Sequence, residues 1–381
     1  MMPSGSESIR DANRAQVFEI LRNKRTATRP ELAELAGLSR TAIGGLIAEF
    51  RRHNVVEVAG QEGSAVGRPA AVLHFNPNAA LALGAELIRS KGQIGAINLD
   101  AWIVVGAEAP LLDDTPAAAV MALQRGVRDL SARVAPTRIL SAIGVGVPGL
   151  VDVRTGKIRL AKEYGWTDVP IRQMIEDALQ LETLVANRSK VGALAELWHT
   201  KERDKDLIYI FIGTEVDAGI AHEGELYLGS SSSAGQLGHM TVLPDGPLCT
   251  CGNRGCLQEL VSGPAIERLV RSRLREAALT PAAPDNPAPE LLTVQDVFRA
   301  AEEGDALARQ VVDEVASYLG IAVANLVNLF NPELIILGGP VGGKGQVLID
   351  PLRREVNRRA MPYALGMVTI ASSALGPQAG S

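Results

Sequence analysis

"GQLGHMTVLPDGPLCTCGNRGCLQE", residues 235–259, holds all three cysteines of the 381-residue chain, packed between Cys249 and Cys256. An odd, clustered set argues against a disulfide framework, and neighbours in a Cys-x-Cys arrangement cannot pair without strain. Three readings remain for these thiols: packing, nucleophilic chemistry, or metal ligation.

Working outward, composition sets the background. The chain is 46% hydrophobic and 21% charged, with 38 Gly and 21 Pro, enough apolar material for two or three packed domains. No charged, apolar and small-residue series marks a secretory leader, and no uninterrupted apolar stretch approaches the roughly 20 residues that span a bilayer. A cytoplasmic protein is the expectation, which also disfavours disulfides. Charge is uneven: residues 1–75 hold ten Lys/Arg against eight Asp/Glu, and the remainder holds 28 against 35. So small a basic excess is weak support for nucleic-acid binding, so the pattern inside that segment matters more.

In "ANRAQVFEILRNKRTATRPELAELAGLSRTAIGGLIAEFRRHNVVEV" three amphipathic stretches follow in quick succession. The first places Val17, Ile20 and Leu21 on one face. The second opens on Thr28 and Pro30 as cap and first-turn residue and stops at Gly37. Ser39 is positioned to cap the third, where Ile43, Leu46, Ile47 and Phe50 recur at helical spacing. This predicts a helix-turn-helix with Arg40–Arg52 as recognition helix, and Ser39, Arg40, Thr41 and Arg51 as candidate DNA contacts. "VVEVAGQEGSAVGRPAAVLHF" then alternates like two strands around a Gly-rich loop, a wing whose Gly67-Arg68-Pro69 turn suits an A·T-rich minor groove. Gly44 and Gly45 fall on the outward face of the recognition helix, leaving base reading chiefly to Arg40 and Thr41.

Beyond residue 76 the pattern changes to α/β alternation. "ILSAIGVGVPGLVD", "DLIYIFIGTEVDAGIAHEGELYLG" and "NPELIILGGPVGG" read as strands ending in Gly-rich turns, separated by helices such as "ALARQVVDEVASYLGIAVANLVNLF", with "LTPAAPDNPAPE" as a surface loop. Together with residues 235–259, "AIGVGVPGLVD", "NLVNLFNPELIILGG" and the preceding winged helix resemble the ROK family of repressors, open reading frames and sugar kinases. The resemblance implies an actin-like, two-lobed α/β fold at 77–381 behind a winged helix at 1–76. It also implies double-stranded operator DNA as partner, homodimers or homotetramers, and a sugar-binding cleft. Family members continue past "SALGPQAG" into a further helix, whereas this sequence stops at Ser381.

Against that pattern, His239 with Cys249, Cys251 and Cys256 forms a His-Cys-x-Cys-x4-Cys set suited to a closed, structural tetrahedral zinc. The kinase chemistry is missing. Where the kinases carry the phosphate-binding Asp-x-Gly-Gly-Thr turn this chain has Glu86-Leu87-Ile88-Arg89-Ser90, and where an Asn-Asp pair supplies the base it has Asn187-Arg188. A guanidinium cannot accept the sugar hydroxyl proton. No enzyme activity is expected. The sugar-contacting positions are altered too: Glu163 stands for Asn, Gln236 and Gln258 for Glu, alongside Asn187 and His239, while Glu259 would point about 100° away on a helix. Two arrangements are open for Arg188: an internal pair with Glu163, or a free fork of donors offered to an anionic, sugar-like metabolite. The second is favoured here.

Overall fold

The computed structural model describes residues 5–62, 70–88, 90–134, 138–199, 205–278 and 292–375. The N-terminal segment forms α1 (Gly5–Lys24), β1 (Thr26–Thr28), α2 (Arg29–Ala36), α3 (Arg40–Arg52), β2 (Val56–Glu62) and β3 (Ala70–Phe75). The middle of the chain forms β4 (Leu81–Ile88), β5 (Lys91–Asn98), β6 (Ile103–Pro110), α4 (Pro116–Val134), β7 (Ile139–Val147), β8 (Leu150–Asp152), β9 (Lys157–Ala161), β10 (Trp166–Val169), α5 (Ile171–Leu179), β11 (Glu182–Asn187) and α6 (Arg188–His199). The rest forms β12 (Leu207–Ile212), β13 (Val216–His222), β14 (Glu225–Leu226), α7 (Gln258–Val261), α8 (Gly263–Ala278), α9 (Val294–Glu303), α10 (Ala306–Phe330), β15 (Leu334–Gly338), α11 (Gly339–Gly342), α12 (Gln346–Asn357), α13 (Pro362–Leu365) and β16 (Thr369–Ser372). The chain divides into two compact units, residues 1–84, 94–108 and 125–143, and residues 85–93, 109–124 and 144–381. The first unit therefore takes in more than the N-terminal 76 residues.

In the first unit local signals set each boundary. The Thr28 hydroxyl accepts from the Glu31 amide while Glu31 accepts from the Thr28 amide, a capping box that starts α2 and holds the Glu31 carboxyl below its ordinary value. Gly37 ends α2 at φ 63°, left-handed backbone that favours glycine. Ser39 Oγ accepts from the Ala42 amide at 3.2 Å and starts α3. Val17, Leu21, Leu32, Ile43, Ile47, Leu73 and Phe75 are fully buried in one core, with Phe18 edge-on to Phe50 and Phe75 at 6.4 and 5.6 Å. The expected two-stranded wing gains a third member. The antiparallel order is β1-β3-β2, with Thr26 opposite His74. The 63–69 loop lies outside the described residues, and Gly67, Arg68 and Pro69 with it.

The second unit is built on a mixed five-stranded sheet, β14-β13-β12-β15-β16, with β12, β15 and β16 parallel. "LIYIFI" is apolar throughout because β12 is covered on both faces: Ile208, Ile210 and Ile212 enter one cluster, Leu207 and Tyr209 the other. The larger cluster wraps α10, whose Val311, Val315, Leu319, Val323 and Val327 are buried. By length and composition α10 would also cross a membrane, but its apolar face lies in this core. A second five-stranded sheet has the order β11-β7-β4-β5-β6, and a small antiparallel sheet the order β10-β9-β8. The whole of "LTPAAPDNPAPE" lies outside the described residues.

Candidate functional site

On α3 the candidate DNA contacts Ser39, Arg40, Thr41 and Arg51 are exposed, along with Arg52. Glu49, the acid of this helix, is drawn back onto α1 by Arg14 at 2.9 Å and Arg10 at 3.4 Å, which leaves the outward face cationic. A Cβ built on Gly44 or Gly45 would meet nothing within 4 Å, so internal packing does not require glycine at either position.

The ligand atoms of His239, Cys249, Cys251 and Cys256 lie within 4.8 Å of one another. Cys249 Sγ is 3.6 Å from His239 Nδ1, and Cys251 Sγ is 3.6 Å from Cys256 Sγ. A tetrahedral metal with S and N bonds of about 2.3 and 2.0–2.1 Å sets such donors roughly 3.5–3.8 Å apart, so these four side chains fit one. Backbone bonds shape the loop: the Cys249 amide donates to Asn253 O at 2.7 Å, and the Gly252 amide to Cys249 O at 2.9 Å. Gly255, at φ 67°, sits so close to Leu243 that a Cβ would lie 1.5 Å from its carbonyl oxygen. Burial, with Lys162 adding to it, lowers the His239 pKa and favours the neutral imidazole that a metal needs.

Next to this loop, within the second unit, is a cavity of about 440 Å³. Gln236, His239 and Gln258 line it, as the sequence implies, and so do Glu215, Asp217, Lys162 and Arg268, which the sequence did not single out, and Glu259. Glu259 is a correction. Although about 100° from Gln258 on a helix, it also faces the cavity, because α7 is a single turn and Arg268 holds its carboxylate at 2.8 Å. Gln258 Oε1 accepts from the Val216 amide at 3.3 Å, and Gln236 donates to the Asp217 carboxylate at 3.3 Å. Asp217 is buried opposite Lys190. Burial pushes the Asp217 carboxyl up to about 7 against the pull of that ammonium, and it lowers Lys190 in turn. Glu215 and Asp217, two apart at the start of β13, are the acids in an otherwise apolar run, the one signal that could have marked them.

Asn187 and Arg188 do not line this cavity. Asn187 is a buried brace: its Nδ2 donates to Gly149 O at 2.7 Å, and its Oδ1 accepts from the Ser189 amide and hydroxyl at the start of α6. Arg188 is 6% exposed, lies 3.2 Å from Glu215 and stacks its guanidinium 4.8 Å from the Phe211 ring centre. It also faces Glu86, whose carboxyl burial pushes up while Arg188 pulls it down. Arg188 is thus not the free fork of donors expected for an anionic ligand; Glu215 holds it, and it packs on an aromatic ring. The Glu163 side chain lies outside the described residues, its backbone in a short 3-10 helix at Lys162–Tyr164. Lys162 of the same helix donates to the carbonyl of Thr250 in the cysteine loop.

Residues 103–381 match the ROK family. The chain is 37% identical to a glucokinase of Halalkalibacterium halodurans over 63% of this chain and 74% of that protein. It is 28% identical to a xylose repressor of Caldicellulosiruptor bescii over 92% of this chain and 89% of the repressor. Among solved structures, a ROK family transcriptional regulator described as a homologue of the E. coli MLC protein superposes with a TM-score of 0.84 at 26% identity, covering 98% of this chain and 94% of that one. With the family match over residues 103–381 and the superposition on a ROK regulator, the actin-like α/β fold has its source: the chain belongs to the ROK family.

Proposed function

We propose that this protein is a ROK-type transcriptional regulator. Its N-terminal 76 residues bind operator DNA, and its kinase-like remainder senses a sugar-like ligand without phosphorylating it. The observation that carries this reading is the pairing of an exposed, cationic α3, capped and braced as a recognition helix, with an Arg188–Glu215 ion pair where the kinases of this family keep their base. Direct contacts come from Arg40 and Thr41, with Ser39 and Arg51 on phosphate and the Gly67-Arg68-Pro69 turn in the minor groove. Two such chains set recognition helices on neighbouring half-sites, so the working form is a homodimer or homotetramer in the cytoplasm. The four-donor cluster holds structural zinc, which orients the loop bordering the cavity.

The cavity favours a neutral, hydroxyl-rich ligand over an anion. Three carboxyl groups, those of Glu215, Asp217 and Glu259, line it against two cations, of which Arg268 is already paired with Glu259 and Lys162 donates to the Thr250 carbonyl while keeping its charge. Amides at Gln236 and Gln258 both donate to and accept from hydroxyls. The test has two arms. Duplexes selected by the protein from random sequence are titrated in a mobility-shift assay, and ATP turnover is followed with a panel of neutral and acidic sugars. Specific DNA binding without turnover supports the reading. The glucokinase relative gives the alternative its weight, and sugar-dependent ATP hydrolysis would establish a kinase with an appended DNA-binding module. Thermal shifts with neutral but not acidic sugars support the ligand class, a ligand at 100 times its Kd adding about 2.7 kcal/mol.

A further inference from the structure

We propose that Asp100, on the turn between β5 and β6, is the positioning residue that grips the DNA-binding module and fixes the direction in which α3 is presented. Asp100 is 7% exposed and Arg22, in the last turn of α1, is 6% exposed. Arg22 Nε lies 3.5 Å from Asp100 Oδ1, and its Nη2 donates to the Asp100 carbonyl at 3.3 Å. Glu19 stands 4.0 Å from the same guanidinium. Arg25, just past α1, pairs with the other carboxylate oxygen and lies 6.0 Å from the Phe75 ring centre. The carboxylate therefore bridges two cations 75 and 78 residues away in sequence.

The turn is shaped before it grips. Asn98 Oδ1 accepts from the amides of Asp100 and Trp102, both at 3.0 Å, while Asn98 Nδ2 reaches Asn78 at 3.1 Å. The Leu99 amide donates to Pro77 O at 2.9 Å, and its side chain packs on the module's core. Apolar contact alone lets surfaces slide. Charged contacts of fixed direction, an ion pair to the buried Arg22 guanidinium and a charge-assisted bond to the half-exposed Arg25, select one setting. From there the setting passes along α1, since Arg14 of that helix holds Glu49 of α3 at 2.9 Å. A second tie acts at the far end of α3, where Arg138 Nη1 meets His53 Nδ1 at 2.9 Å.

The experiment uses the full chain with Asp100→Asn, Arg25→Met and the double variant. Hydrogen–deuterium exchange should rise at residues 22–28 and 98–102 in each variant and stay unchanged in α10. On duplexes selected from random sequence by the wild type, specific affinity should fall about tenfold or more, while affinity for unselected duplex at low salt moves less than about twofold; the double variant should be no worse than the worse single, as members of one unit behave. A merely structural ion pair would weaken both kinds of DNA equally, and that outcome overturns the proposal. So does folded Arg25→Met with wild-type exchange at the turn. Should Asp100→Asn fail to fold, Arg25→Met decides, because its side chain is already 51% exposed. If the wild type selects no sequence, the DNA reading fails, and the exchange measurement still judges the grip.

Discussion

The recognition helix and the cavity handle charge in opposite ways. On α3 the cations point outward and the one acid is drawn back by Arg10 and Arg14, so the surface is left with unspent positive charge. Around the cavity nearly every ionic group is matched inside the protein: Arg188 with Glu215, Arg268 with Glu259, Lys190 facing Asp217. On the reading proposed above, a surface that meets a polyanion keeps its charges available, whereas a cavity that senses a ligand without transferring phosphate balances them internally. The scaffold is common to both outcomes, which is why the same fold serves kinases and regulators.

That contrast can be strained experimentally. The largest effect is expected at the metal loop. Cys256→Ser should bring metal content from about one ion per chain to near zero and cost more than about 5 kcal/mol, a fraction of the roughly 10–16 kcal/mol zinc supplies to zinc-finger peptides. Metal analysis with a parallel thermal melt checks both. Arg188→Ala comes next. It leaves Glu215, and Glu86 behind it, without a buried counter-charge and should cost about 3–5 kcal/mol, whereas Arg188→Met with Glu215→Gln should recover most of that loss. A small effect of Arg188→Ala in a denaturant titration would mean the charges are not internally balanced.

Asp217 offers a test through pH. Its folded pKa, about 7, lies above the ordinary carboxyl value of 3.8, so the folded state holds the extra proton between those values and stability falls as pH rises from about 4 to 7. Asp217→Asn should flatten that fall, by at most about 4 kcal/mol across the window and by less to the extent that Lys190 shares the shift. Equal pH profiles for wild type and variant would remove Asp217 as the cause. The smallest effects belong to the DNA-binding module. Thr28→Ala should cost about 1–2 kcal/mol through the lost cap. Arg51→Ala should weaken binding to all duplexes alike and make the slope of log affinity against log salt shallower by about 1, and a sequence-selective loss would instead assign Arg51 to a base.

The parts legible from sequence were those governed by nearest-neighbour rules. Thr28, Gly37 and Ser39 are caps whose effect spans three or four residues, and each sits where the sequence places it. The His-Cys cluster was legible for the same reason, since three of its four side chains fall within eight positions. The strand β1 was not, because three residues gain strand character only from a partner more than 40 positions away. Glu215 and Asp217 were not, because two acids breaking an apolar run carry no local sign of the cavity that the fold sets beside them. The partner of Arg188 depended on which acid the fold brings within 3.2 Å, and no local pattern encodes that.

Gly44 and Gly45 leave two bare seats on the exposed side of α3, with open space above each. Each glycine sacrifices about 1 kcal/mol of helix stability relative to alanine. Alanine at either position should therefore toughen the module, and on the proposed docking of α3 a longer side chain such as asparagine or arginine would extend toward base edges. The helix is thus open to retargeting: new operator preferences would be reachable by one or two codon changes without repacking the core.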